Sequence, residues 1–160
     1  MERKYSKIGS GKMIVHVING PNLNMLSKRD PKVYGTVGYG ELVNEIQRWC
    51  EAERIKVNFF QSNHEGKIID YIQKIPVKDG IVINPGAFAH YSYALRDALE
   101  IFKGSKIEVH ISNIFKREEF RSHSVTAPVC DGVISGLGVH GYILAIQFIT
   151  SKVFDKDKES

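Results

Sequence analysis

Five short apolar runs rich in β-branched residues recur along the chain and constrain its fold more than any other feature. They are MIVHVI (13–18), IKVNFF (55–60), GIVI (80–83), KIEVHI (106–111) and GVIS (132–135). Helical periodicity follows most of them. Leu42, Ile46 and Trp49 stand at i, i+4 and i+7. Tyr91, Ala94, Leu95, Ala98 and Phe102 share one face, as do Tyr142, Ile143, Ile146 and Ile149. Strands alternating with helices predict a parallel sheet covered on both sides.

Five such strands predict an α/β fold: a doubly wound, flavodoxin-like five-stranded parallel sheet in a three-layer sandwich. The 160 residues suffice for one domain with a sizeable core. We place that single domain at residues 13–150, between a basic leader (1–12), expected to be disordered, and a charged tail (151–160). Most of the net charge of +4 sits in the leader, where Arg3, Lys4, Lys7 and Lys12 face only Glu2. The domain itself is close to neutral, which removes the compositional case for nucleic-acid binding. Cys50 and Cys130 form no CxxC pair, which fits a reducing, cytoplasmic setting. The uncharged stretch from Gly132 to Ser151 holds four glycines, His140 and Gln147. It reads as a strand, a loop and a helix rather than a membrane span.

Spacing singles out one loop. Three of the four strand-to-strand intervals fit one compact β–α unit, whereas the first carries an excess of about sixteen residues within 20–40. With two prolines and four glycines, this segment reads as a lid or binding loop without a helix of its own. Small polar residues gather where the strands end: Asn19-Gly20-Pro21-Asn22, Asn84-Pro85-Gly86 and Ser112-Asn113. That edge of an open α/β sheet binds ligands, although the same residues also serve as turns and caps.

Several side chains there could carry chemistry. Arg29 and Tyr34 are five residues apart in the long loop. Tyrosine ionises only near pH ~10, but a cation within ~4–6 Å favours the phenolate. The plainer reading is a packed ring beside a solvated arginine. Glu108 and His110 share one strand face. A carboxylate there orients an imidazole for general-acid work, unless a backbone carbonyl simply satisfies the ring. His90 and Asp97 lie two helical turns apart, as a binding pair or as cap and surface charge. Arg117 and Arg121 in KREEFR read as a solvated charged face more readily than as a carboxylate clamp. His16, inside a strand, reads as structural. No His/Cys/carboxylate cluster has metal-ligand spacing. The GxGxxG run at 136–141 follows the last strand, without the βαβ setting that nucleotide binding needs.

The blocks INGPNLNML, RDPKVYG, FQSNHEGKIID, INPGAFAHYSYALRDAL, EVHISNIFKREEFRSHS and GVISGLGVHGYILAI resemble type II 3-dehydroquinate dehydratase. They run from about Met13 to Ile149 in family order and spacing. The resemblance implies anti elimination of water from 3-dehydroquinate to 3-dehydroshikimate, in the shikimate pathway, through an enolate and without metal, cofactor or imine. It implies Tyr34 as base, Arg29 as the lid cation holding it ionised, and Asn22 as enolate stabiliser through a water. His110 becomes the acid, oriented by Glu108. Asn84, His90, Ile111, Ser112 and Arg121 become substrate ligands. Asp97 corresponds to a residue presented to a neighbouring subunit, in a homododecamer built as four trimers. Ser27-Lys28 and Asp30 depart mildly from the family pattern. Two other readings compete. A catalytically silent flavodoxin-like module binding a sugar acid or other small anion could dispense with Tyr34, Arg29 or His110, yet all three are present. An electron carrier would need a Ser/Thr-rich loop after the first strand, and NGPNLNML has neither residue.

Overall fold

The computed structural model describes residues 13–156, so the basic leader and the last residues of the charged tail lie outside the described residues. Five parallel strands form one sheet: β1 (Ile14–Asn19), β2 (Lys56–Gln61), β3 (Gly80–Asn84), β4 (Lys106–His110) and β5 (Gly132–Ser135). Their order is β2-β1-β3-β4-β5. This is the doubly wound order, in which the chain reverses direction across the sheet between β1 and β3 and opens a crevice beyond their carboxyl ends.

Strand residues alternate between two cores. Val15, Val17, Val82 and Val109 pack on one side with Leu42, Ile46, Tyr142 and Ile146. Those partners come from α2 (Tyr39–Ala52) and α5 (Val139–Lys156). Ile18, Ile81 and Ile83 pack on the other side with Ile68, Ile72, Leu95 and Leu99, from α3 (Glu65–Gln73) and α4 (Tyr93–Ile101). Covering both faces explains why β3 reads as an unbroken apolar run. The expected α4 face holds at Leu95, Ala98 and Phe102, but Tyr91 and Ala94 are exposed. Ser92 caps the helix by accepting from the Leu95 amide at 3.0 Å, so Tyr91 precedes the periodic part. His16 is structural, as expected. Its ring nitrogens lie 2.8 Å from Tyr71 Oη and 3.0 Å from Asp79 Oδ2, on the edge away from the crevice.

The long first connection differs from expectation. It contains a 3-10 turn at Leu23–Lys28, which buries Leu23 and Leu26, and a one-turn helix, α1 (Pro31–Tyr34). Neither is long enough to show a 3.6-residue period. Asp30 Oδ1 accepts from the Lys32 amide at 2.9 Å, and Pro31 occupies the first helical position, where its missing N–H costs nothing. The aspartate that departs from the family pattern is therefore a good N-cap.

Close approach of β1 and β3 shapes the crevice floor. The Gly20 amide donates to the Asn84 carbonyl at 2.8 Å. A Cβ on Gly20 would collide with the backbone carbonyl of Pro85. Gly20→Ala should therefore destabilise the fold by about 1–3 kcal/mol or more, read as a fall of several degrees in the thermal midpoint. A midpoint unchanged from wild type would contradict this packing.

Candidate active site

Strands β1 and β3 end in asparagines that share one buried phenol. Tyr142, fully buried on α5, donates to Asn19 Oδ1 at 2.6 Å and accepts from Asn84 Nδ2 at 2.9 Å. Burial pushes the Tyr142 phenol above its ordinary pKa, so it remains a hydroxyl able to do both. The Asn84 Oδ1 atom accepts from the Gly86 amide at 3.1 Å. The amide side chain of Asn84 is thus pinned at the crevice floor.

Above it lies a cleft that opens to solvent. Asn22, Arg29, Tyr34, Asn84, His90, His110, Ile111, Ser112 and Arg121 all line it. Glu108 sits behind His110, fully buried. Asp97 is exposed on α4 and does not line the cleft of its own chain.

Two guanidinium groups meet one phenol. Arg29 Nη2 donates to Tyr34 Oη, and Arg117 Nη1 donates to the same oxygen at 2.6 Å. Both cations also approach the ring, their Cζ atoms 3.9 and 5.0 Å from its centroid. Burial lowers the Arg29 pKa, Tyr34 raises it, and the cations Arg117 and Arg121 lower it further. Arg117 reaches Ser112 Oγ as well, at 3.3 Å, so it ties the lid to the loop after β4. The expected solvated charged face in KREEFR is therefore wrong for Arg117, which lines the cleft. The i, i+4 spacing misleads because no α-helix forms. Arg117 is extended, between 3-10 turns at Ile114–Lys116 and Glu119–Ser122. Arg121 lines the cleft too, and its Nε donates to Glu118. Its two terminal nitrogens remain to grip a carboxylate.

The two cleft histidines lie ring to ring, with centroids 6.3 Å apart. His110 Nε2 is 2.9 Å from Glu108 Oε2. A carboxylate only accepts, so Nε2 carries hydrogen and Nδ1 is the nitrogen left for a ligand. His90 Nδ1 lies 2.8 Å from the His123 carbonyl, which leaves Nε2. Desolvation lowers the His90 pKa, against a rise from the His123 carbonyl, with His110 and Arg121 lowering it further. The lowering favours the neutral ring, whose Nε2 offers an acceptor. The GxGxxG run also finds its use here. The Gly136 and Gly138 amides each donate at 3.1 Å, to the His110 and Ile111 carbonyls. These glycines fasten β5 to the site rather than cradling a phosphate.

Residues 13–150 match the family model described as dehydroquinase class II. The chain belongs to this family. It is 60% identical over 141 residues to the 3-dehydroquinate dehydratase of Thermotoga maritima, covering 88% of this chain and 97% of that one. Its counterpart in Bacillus pumilus is 55% identical over 137 residues, covering 85% and 93%. The crystal structure of type II dehydroquinase from Butyrivibrio crossotus superposes with a TM-score of 0.84 at 55% identity. That match covers 86% of this chain and 97% of that chain. The fold of this chain is thus shared with solved members of its family. Among the described residues, no helix is long and apolar enough to cross a membrane.

Arg117 makes a structural prediction of its own. In Arg117→Leu the lid keeps Arg29 on Tyr34 but loses its tie to the β4 loop. Hydrogen–deuterium exchange over residues 29–35 should then accelerate relative to wild type. Unchanged exchange would show that Arg117 does not hold the lid.

Proposed function

We propose that the chain dehydrates 3-dehydroquinate to 3-dehydroshikimate by anti elimination through an enolate. One observation carries the reading: two guanidinium groups converge on a single phenolic oxygen, in a cleft that also holds a carboxylate-backed imidazole. A phenol receiving two charge-assisted hydrogen bonds is suited to act as phenolate. Tyr34 takes the proton from the carbon α to the ketone, and the C–H electron pair becomes the enolate. Asn22, through a water, and the cations around the cleft stabilise the negative oxygen. The enolate then re-forms the ketone and expels the β-hydroxyl, which leaves as water with a proton from the His110 imidazolium. Glu108 balances the charge on that ring while it is protonated. The cycle closes when the proton held by Tyr34 returns to solvent and His110 regains one.

Arg121 and the Ile111–Ser112 backbone are the proposed carboxylate ligands, with Asn84 and His90 on the substrate's hydroxyls. Arg117 joins Arg29 as a second cation for the phenolate. The exposed position of Asp97 suits the proposal that it serves a neighbouring subunit's cleft in a homododecamer of four trimers. Among the described residues no lysine lines the cleft, which favours an enolate over an imine. The same lining disfavours the silent anion-binding module, which has no use for a doubly held phenol.

Purified protein mixed with 3-dehydroquinate should generate enone absorbance. Tyr34→Phe should lose at least about a thousandfold in kcat while still binding a non-reactive analogue. Borohydride added with substrate should trap no covalent adduct. Folded wild-type protein that yields no enone would refute the activity, and a borohydride-trapped adduct would refute the enolate route.

A further inference from the structure

Segment 123–126 lines no part of the cleft, yet three of its residues bond to groups that control it. The His123 carbonyl accepts from His90 Nδ1 at 2.8 Å. Ser124 Oγ donates to Glu108 Oε2 at 2.8 Å. Thr126 Oγ1, fully buried, donates to Glu108 Oε1. Val125, buried between them, anchors the segment. Its amide donates to the Ala89 carbonyl at 2.7 Å, beside His90, and its own carbonyl accepts from Arg96 Nη1 of α4 at 3.3 Å.

We infer that this segment is a positioning strap that gives the two cleft histidines different jobs, with Thr126 and Ser124 as positioning residues for the Glu108–His110 pair. This rests on the dehydratase reading and adds to it which groups set the acid. The Glu108 carboxylate is fully buried and must be compensated by donors. His110 and Ser124 supply Oε2, and Thr126 supplies Oε1. With both oxygens engaged, the carboxylate cannot rotate away from the imidazole. His110 then points Nε2–H at Glu108 and acts on substrate through Nδ1, as an acid once that nitrogen is protonated. The same strap fixes His90 the other way round. Its Nδ1–H is spent on a backbone carbonyl, and Nε2 can only accept from a substrate hydroxyl. Two chemically identical rings are thus sorted by one short stretch of chain that never touches substrate.

The test is steady-state kinetics on wild type, Thr126→Val, Thr126→Ser and Ser124→Ala. The valine keeps the threonine's shape and removes the donor. It should lower kcat about tenfold or more and leave KM within about twofold, because substrate contacts are untouched. The serine restores the hydroxyl and should return kcat to within about threefold of wild type. Should the valine variant not fold, Ser124→Ala carries the test, with several-fold lower kcat at unchanged KM. An active wild type with valine or alanine variants of equal kcat would overturn the strap alone. So would a valine variant that raises KM and is not rescued by serine, since that marks a merely structural residue. A wild type without turnover would overturn the dehydratase reading itself.

Discussion

Convergence of Arg29 and Arg117 on the Tyr34 oxygen is the interaction on which the site depends. One arginine comes from the lid and the other from the loop after β4, so the contact is both electrostatic and mechanical. It presents a phenol with two donors. It also closes residues 29–34 over the crevice that the β1–β3 reversal opens. Bringing cations together is unfavourable in itself, and desolvation together with Arg117 and Arg121 lowers the Arg29 pKa. A tyrosine that takes negative charge is the group that relieves that crowding. The same charge balance makes the cleft attractive to an anionic substrate.

The Glu108–His110 side of the cleft is built on the opposite principle. Arg29, Arg117 and Tyr34 are only partly buried, whereas Glu108 is completely so and is held by short polar side chains. A buried carboxylate with all its partners supplied is rigid. In the proposed mechanism, rigidity suits a carboxylate that orients an imidazole, just as partial exposure suits a lid that opens. The glycines after β5 serve the same end, because their amides lock the His110 and Ile111 carbonyls. The phenol and the imidazole therefore sit on elements of different burial, across one cleft.

Most of this architecture could be read from residue patterns because strands and long helices leave a period. The five apolar runs fall within about two residues of the observed strands. Polar residues at the strand ends were legible for a related reason: a parallel sheet places all of those ends at one edge. Arg117 was not legible, since a basic residue in KREEFR looks the same whether it bathes in solvent or turns inward. Only the 3-10 geometry on either side of it decides. Tyr142 was hidden among core residues, because its apolar ring fits the helix face while its hydroxyl serves Asn19 and Asn84. Ser124 and Thr126 were hidden for want of any pattern, their partner Glu108 being 16 and 18 residues away in sequence.

Solvent-deuterium incorporation into 3-dehydroquinate tests the division of labour between the phenol and the imidazole most directly. With His110→Asn, which retains Tyr34 and both arginines, the account predicts exchange of the proton α to the ketone without loss of water. With Tyr34→Phe it predicts no enzyme-dependent exchange. Exchange by the phenylalanine variant at the wild-type rate would contradict the assignment of Tyr34 as the base.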